Sequence, residues 1–375
     1  RQLPPPITGD LSTSDQMLDR NLVAVLEGHF SSKLGDWMFN WGQVYNSNLF
    51  YLNAADSESD NRFMSQEVNG RWKKEFSRFK LKIESGVQGK FQEASSPSYS
   101  GRSERNLGAV FTTVEKNLSK DFGSYVILRK EFSEGFVLPL MGSFGIFYAD
   151  KGAAKYSLAY SSNYRLPSLN DLYWVPGGNP ALRVENSFSI DLRGQRDFKW
   201  QGLHFTVDAT LYYSEIDDLI QWLPRNSLWS PFNVKFRRIL GQELKFEVLK
   251  KINTWQLSSS AQLFITQQNP GEASTVKVPY SPNTSANLQV ILQDENWLFR
   301  YLLNYSDSYF TDEGGNFFMP AYAISDLQMA YRFPYKKLRY SLGLKLQNIG
   351  DYPYQILPFR PEPGFNFLLN FALRW

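Results

Sequence analysis

The sequence predicts an all-β chain whose antiparallel strands cross a membrane as part of a β-barrel, with about 17 strands visible. Three observations carry that expectation. At the C-terminus Phe365, Phe367, Leu369, Phe371, Leu373 and Trp375 take every second position, with Asn366, Asn370 and Arg374 between them. That is the period of a strand with one apolar face. Aromatic residues make up 16% of the chain, as 10 Trp, 21 Tyr and 29 Phe, yet the mean hydropathy is −0.39. Strands that alternate lipid-facing and lumen-facing side chains combine these two properties. Finally, short and long connections alternate along the chain, as they do between the two ends of a membrane barrel.

The elements follow in order. The first recognisable strand is LVAVLEGHF at 22–30. Further on, Phe205, Val207, Ala209, Leu211 and Tyr213 alternate with Thr206, Asp208 and Thr210, and Trp297, Phe299, Tyr301, Leu303 and Tyr305 alternate with residues that include Arg300 and Asn304. Leu327, Met329, Tyr331 and Phe333 then lead through the turn FPYKK into Leu338, Tyr340, Leu342, Leu344 and Leu346. Short turns are expected near 33–36, 76–78, 120–122, 151–153, 198–202, 251–254, 294–296 and 334–337. Longer loops are expected at 50–61, 93–103, 165–185, 222–234, 267–283, 308–321 and 351–363. Trp37, Trp200, Trp255, Trp297 and Trp375 fall beside the short turns, where indole rings would form a girdle at the membrane interface. Strands of roughly 10 to 15 residues suit tilted spans; soluble sandwiches and propellers keep theirs nearer 5 or 6.

Composition removes other classes. No run of about 18 apolar residues exists, so no helix spans a bilayer. Cysteine is absent, which excludes disulfides and thiolate metal sites. The 40 basic and 37 acidic residues are mixed, for a net charge of +3, without the basic footprint of a nucleic-acid binder. The opening RQLPPPITGD has no start Met and no apolar signal core. If the last strand ends in the periplasm, strand LVAVLEGHF runs downward, and an even-stranded barrel then requires an odd number of strands outside this sequence.

One stretch breaks the strand rhythm: NYRLPSLNDLYWVPGGNPALRVEN at 163–186, with no helical or nucleotide-binding pattern around it. Pro167 has no N–H to donate and ends the ladder, and Gly177-Gly178 is expected to supply backbone freedom for a sharp corner. This stretch resembles the late-barrel loop of TonB-dependent outer-membrane receptors, with Val184 where a proline is usual and Glu185 kept. The C-terminal block LGLKLQNIGDYPYQILPFRPEPGFNFLLNFALRW is similar to the family's closing hairpin through Asn348, Asp351, Tyr354 and Pro363-Gly364, with Phe365 in place of an arginine. VPYSPNTSANLQV and TDEGGNFFMPAYAISDLQMAYRF fit the same order, so the motifs cover residues 139–375 and strand rhythm alone covers the rest.

The resemblance implies a 22-stranded barrel. Residues 1–375 would be its outer-membrane barrel domain, with the N-terminal plug and about five first strands outside this sequence. It implies energised uptake of a scarce ligand such as a ferric siderophore or cobalamin. The expected partners are outer-membrane lipid, TonB-ExbB-ExbD acting through the plug, and the insertion machinery that reads the terminal aromatic. Two alternatives stay open: a SusC-like importer of peptides or glycans with a surface lipoprotein, and a plugless porin or structural barrel. Ligand contacts are expected from Tyr173, Trp174, Trp229, Tyr309, Phe317, Phe318, Tyr354 and Phe359, with Arg225 and Arg360 as anion partners. Each could instead pack loop against loop. Trp200, Trp255, Trp297 and Trp375 are assigned to the periplasmic girdle. No catalytic or metal site and no intrinsic cofactor are expected. His29 and His204 stand in strands outside any HExxH or nucleophile-elbow context. Asp217-Asp218 and Asp312-Glu313 read as solvated charge, and calcium at a loop would need oxygen ligands without EF-hand spacing.

Overall fold

Period-two patterning becomes long antiparallel strands throughout. The computed structural model describes residues 16–52, 57–99, 101–150, 154–225, 228–269, 278–312, 314–336 and 338–374. In chain order the strands are β1 (Gln16–Ser32), β2 (Gly35–Leu52), β3 (Ser57–Phe76), β4 (Leu81–Ser95), β5 (Ser103–Asn117), β6 (Phe122–Ser133), β7 (Leu140–Ala149), β8 (Ala154–Arg165), β9 (Glu185–Trp200), β10 (Leu203–Arg225), β11 (Leu228–Ile252), β12 (Trp255–Asn269), β13 (Thr284–Gln293), β14 (Trp297–Ser306), β15 (Tyr309–Phe310), β16 (Phe318–Met319), β17 (Tyr322–Tyr335), β18 (Leu338–Gln347), β19 (Gln355–Leu357), β20 (Arg360–Pro361) and β21 (Asn366–Arg374). A short helix, α1 (Leu169–Tyr173), separates β8 from β9. The long strands form one 17-stranded sheet, while β15–β16 and β19–β20 are separate two-stranded ribbons.

Packing divides the chain into two compact units. The first falls within Arg1–Ile146, Ala159–Ser189 and Glu215–Phe236, the second within Phe147–Leu158, Ile190–Ser214 and Arg237–Trp375. In the first, β1 to β6 form a meander in which each strand pairs antiparallel with the next. Directly opposed residues share a face. One face therefore carries exposed Phe39, Val68, Val87 and Val110, and the other gathers Asn48 opposite Asn61 and Gln92 opposite Arg105. In the second unit β11 to β14, β17, β18 and β21 pair in the same manner.

Beside its short turns the second unit carries a continuous aromatic row. The Trp297 ring lies 5.6 Å from Phe299 and 4.5 Å from Tyr331, and Trp255 lies 6.3 Å from Phe299. Tyr331, Phe333, Tyr340 and Phe371 continue the row at 5.6, 5.1 and 6.2 Å. Trp37 and Trp72 pair at 6.5 Å beside the β1–β2 turn of the first unit. Trp200 ends β9 with 60% of its surface exposed. Trp375 lies outside the described residues.

The strands reach further than the sequence pattern predicts. β1 begins at Gln16 rather than near 22, β2 and β3 run through most of the loop expected at 50–61, and β10 and β11 consume most of 222–234. With 23 and 25 residues at about 3.3 Å each, these last two strands are longer than a tilted span of roughly 10 residues requires. Hydropathy alternates only where one face meets hydrocarbon. Beyond it the ladder continues because backbone groups still find partners on the neighbouring strand, and that leaves no apolar signature.

Candidate functional site

The 163–186 stretch is a braced scaffold. It contains the helix that the sequence pattern does not predict. Ser168 caps α1 in a reciprocal box: its hydroxyl accepts from Asp171 N–H at 3.0 Å, and the Asp171 carboxylate accepts from Ser168 N–H at 2.8 Å. The S-x-x-D spacing was the readable signal for this helix. Asp171 is buried and also accepts the Trp222 indole N–H at 2.8 Å, with the Arg165 guanidinium 3.8 Å away. Arg165 in turn donates to Glu185 and to the carbonyl of Ile220, both at 3.0 Å. The Pro167 carbonyl accepts from Arg105 at 2.5 Å. Leu172, Leu182 and Ile220, with Phe136 against them, supply the apolar core beneath.

The corner after α1 is held by close approach. Neither Gly177 nor Gly178 has a positive φ, so the corner depends on their missing Cβ and not on the backbone freedom expected of them. A Cβ on Gly178 would lie 2.6–2.8 Å from backbone atoms of Trp174 and Leu172, and one on Gly177 would run into the Trp229 carbonyl. Asn179 then ties the loop to β11 by donating to the Pro231 carbonyl at 3.0 Å. Arg183 pairs with Asp218 through Nε at 3.1 Å, and Asn233 bridges the two backbones. Asp218 is thus an ion-pair partner and not free solvated charge.

What the scaffold presents is an exposed edge of Tyr173, Trp174 and Val175, with Trp229 alongside. Trp174 pairs with Tyr99, whose hydroxyl donates to Asn170 at 3.3 Å. Burial, followed by the charge of Asp171, raises the Tyr99 pKa, so it stays a neutral donor. Next to this edge lies a cavity of about 690 Å³. Its polar lining holds five carboxamides, from Asn46, Asn48, Asn61, Gln92 and Asn170, together with Ser95, Ser96 and Ser168, the guanidinium groups of Arg62 and Arg105, and the rings of Tyr99 and Trp174. No carboxylate lines it among the described residues. Asn48 donates to Asp19 at 2.5 Å and Asn61 accepts from Ser96 at 2.5 Å, which fixes two of the amides. Amides arranged in this way offer both donors and acceptors to a polar, uncharged guest.

A second aromatic group forms in the other unit. Tyr309 is buried, donates to the Ile356 carbonyl at 2.7 Å and lies 6.3 Å from Tyr280. It anchors the β15–β16 ribbon, whose tip is closed by Asp312 accepting from Phe317 N–H at 2.8 Å and Asn316 N–H at 3.2 Å. The Phe317 N–H, with help from Asn316, holds the Asp312 carboxyl below its ordinary range. Asp312, like Asp218, is therefore engaged. Tyr354 packs in a tilted ring pair with Tyr322, centroids 5.0 Å apart, and its pKa is raised by burial. Phe317, Phe318, Phe359 and Arg360 are exposed, Phe359 at 81%. Phe359 has φ +62° at the tip of the β19–β20 ribbon.

The expected contacts thus separate. Tyr173, Trp174 and Trp229 fall in the first unit; Tyr309, Phe317, Phe318, Tyr354, Phe359 and Arg360 fall in the second. Tyr309 and Tyr354 brace loops, whereas the exposed phenylalanines are free to meet a ligand. Arg225 ends β10, and its side chain lies outside the described residues. Sequence reasoning missed Asp171, Trp222, Arg105 and the carboxamides, which lie on α1 and on strands far apart in the chain. Past the end of β18, Asn348 and Asp351 fix the loop that leads to β21: buried Asn348 donates to the Tyr352 carbonyl at 2.9 Å, and Asp351 accepts from Phe365 N–H at 2.7 Å.

The chain as a whole is similar to known receptors. A family model described as TonB dependent receptor-like, beta-barrel, matches residues 13–349. The chain is 28% identical over 156 residues to the vitamin B12 transporter BtuB of Vibrio vulnificus, covering 40% of this chain and 24% of that protein. It is 35% identical over 97 residues to BtuB of Photobacterium profundum, covering 24% and 15%. The siderophore receptor PirA from Pseudomonas aeruginosa superposes with a TM-score of 0.71 at 16% identity, over 96% of this chain and 64% of that one. Each match covers less than two thirds of the relative's length.

Proposed function

The chain belongs to the TonB-dependent receptor family of the bacterial outer membrane, and from that premise we propose that it captures a scarce, amide-bearing ligand of the cobalamin kind for energised uptake. The observation that carries this reading is the carboxamide-lined cavity beside Trp174, held in shape by the braced 163–186 loop. A ligand rich in peripheral amides would trade hydrogen bonds with Asn46, Asn48 and Gln92 while laying apolar surface on Tyr99 and Trp174. A ferric catecholate complex is anionic and calls for a cluster of unpaired cations. Here the lining offers Arg105, already donating to Pro167, and Arg62, which pairs with Asp60.

In this reading uptake is coupled to TonB-ExbB-ExbD through a plug and the barrel is inserted by the outer-membrane machinery, and membership of the family supports both. Trp297, Trp255 and Trp200 serve in this reading as interface anchors on the short-turn side. The exposed Phe317, Phe318 and Phe359 form a further contact surface on the loops. The test is binding by the complete receptor of cyanocobalamin and of ferric enterobactin, together with growth of a deletion strain on limiting cobalamin or iron. Cyanocobalamin binding that weakens in Q92A supports the proposal. Binding of the ferric chelate alone assigns the receptor to siderophores, and growth unaffected in both media removes the uptake role.

A further inference from the structure

The second unit carries a concavity on its apolar face that ligand capture does not use. Registers place Leu244 opposite Leu263, Leu263 opposite Ala286 and Ala286 opposite Tyr305; one pleat away, Phe246 faces Ala261, Ala261 faces Leu288 and Leu288 faces Leu303. These side chains share one face of β11 to β14. The intervening Lys245, Gln262 and Asn287 belong to the other face. Where most positions of the apolar face carry large residues, Ala261 and Ala286 leave a floor, walled by Leu244 and Phe246 on one side and Leu303 and Tyr305 on the other. The resulting groove has a volume of about 450 Å³.

We infer that this groove is a binding site for one acyl chain of an outer-membrane lipid. The face that holds it also bears the Trp297–Phe299–Trp255 row and is continuous with the hydrocarbon interface of an outer-membrane barrel. Its side-chain lining is apolar apart from the Tyr305 hydroxyl, so a peptide segment or headgroup lodged there would leave its polar groups unpaired. The groove's volume and its apolar walls suit a single long tail. Transfer out of water cannot drive the binding, because the tail is already in hydrocarbon. The gain is dispersion: a chain seated against close-set walls makes more contacts than one in fluid lipid, as small residues do for helices packing in membranes. The groove lies toward the loop ends of β13 and β14, since Ala286 and Tyr305 are close to Thr284 and Ser306. The tail therefore belongs to the outer leaflet.

The test is native mass spectrometry of the complete receptor exchanged into mild detergent with dipalmitoyl phosphatidylethanolamine. Parallel samples carry A261L/A286L, the milder A261V, or A24L, which adds bulk on β1 at a residue that does not line the groove. Folding is monitored for all by heat-modifiable gel mobility. Expected results are a several-fold loss of retained lipid in A261L/A286L, a smaller loss in A261V, no change in A24L, and weaker retention of a dioctanoyl lipid by the wild type. Equal retention in the filled and wild-type proteins would overturn the inference. So would an equal loss in A24L, or a loss of dimers without a loss of lipid, which would make the groove a contact between copies.

Discussion

Asp171 concentrates the bracing of the 163–186 loop, so D171A is the most informative substitution. The carboxylate is buried and satisfies the Ser168 N–H, the Trp222 indole N–H and part of the charge of Arg165. Truncation leaves two donors without an acceptor. A hydrogen bond to a charged group contributes about 1.5–3 kcal/mol, and a lost helix cap costs about 1 kcal/mol. These overlap in the Ser168 contact, and half-exposed Arg165 recovers by hydration, so a local loss of about 3 kcal/mol is expected. The strands pair independently of this carboxylate, so the loss stays in the loop. If binding needs the closed loop, apparent affinity falls with its population, by at most about 150-fold for 3 kcal/mol. W222F removes one donor together with its demand and should cost about 1 kcal/mol. Hydrogen exchange over residues 168–182 reads the loop, and titration calorimetry reads the ligand. Unchanged exchange in D171A would refute the bracing role, and faster exchange with unchanged affinity would separate this loop from binding.

Three further outcomes follow from the same geometry. G178A should displace the corner and raise proteolytic cleavage near 174–182, at about 1–3 kcal/mol for overpacking against backbone, whereas G28A, with nothing near its Cβ, should stay within about 0.5 kcal/mol of wild type. F317A, F318A and F359A remove exposed rings and should leave thermal stability within the same margin; if these rings are ligand anchors, affinity falls by at least about 1 kcal/mol each in calorimetry, and three unchanged affinities would exclude the patch. The Asp312 pKa is depressed below 3.8 in the folded loop, so its contribution is fully present above the ordinary carboxylate value and is lost as pH falls through the lower folded value. Exchange protection of the Phe317 N–H should therefore persist at neutral pH, fall only in acid, and be weakened at every pH by D312A.

Much of the architecture is legible in the chain itself. A period of two needs only neighbouring residues, and it identifies the apolar side of β10, β14, β17, β18 and β21, with short turns before β14 and between β17 and β18. Local motifs behave alike: Pro167 stops β8, and Ser168 with Asp171 encodes α1, although without a surrounding periodic pattern that cap is easy to overlook. Strand ends beyond the hydrocarbon were not legible, since a polar ladder and a polar loop have the same composition.

The assembly of the cavity belongs to another level. Asn46, Asn61 and Gln92 acquire a common purpose only through strand register, because a one-residue slip would turn a whole row to the opposite side. The same holds for Asp171 and Trp222, which lie 51 positions apart, and for Gly178, whose missing Cβ matters only because Trp174 folds back over it. Alternation is a property of adjacent residues and survives in any fold that keeps the strands. Contact between distant side chains depends on which strands neighbour one another and in what register, and that information exists only once the chain has closed its loops.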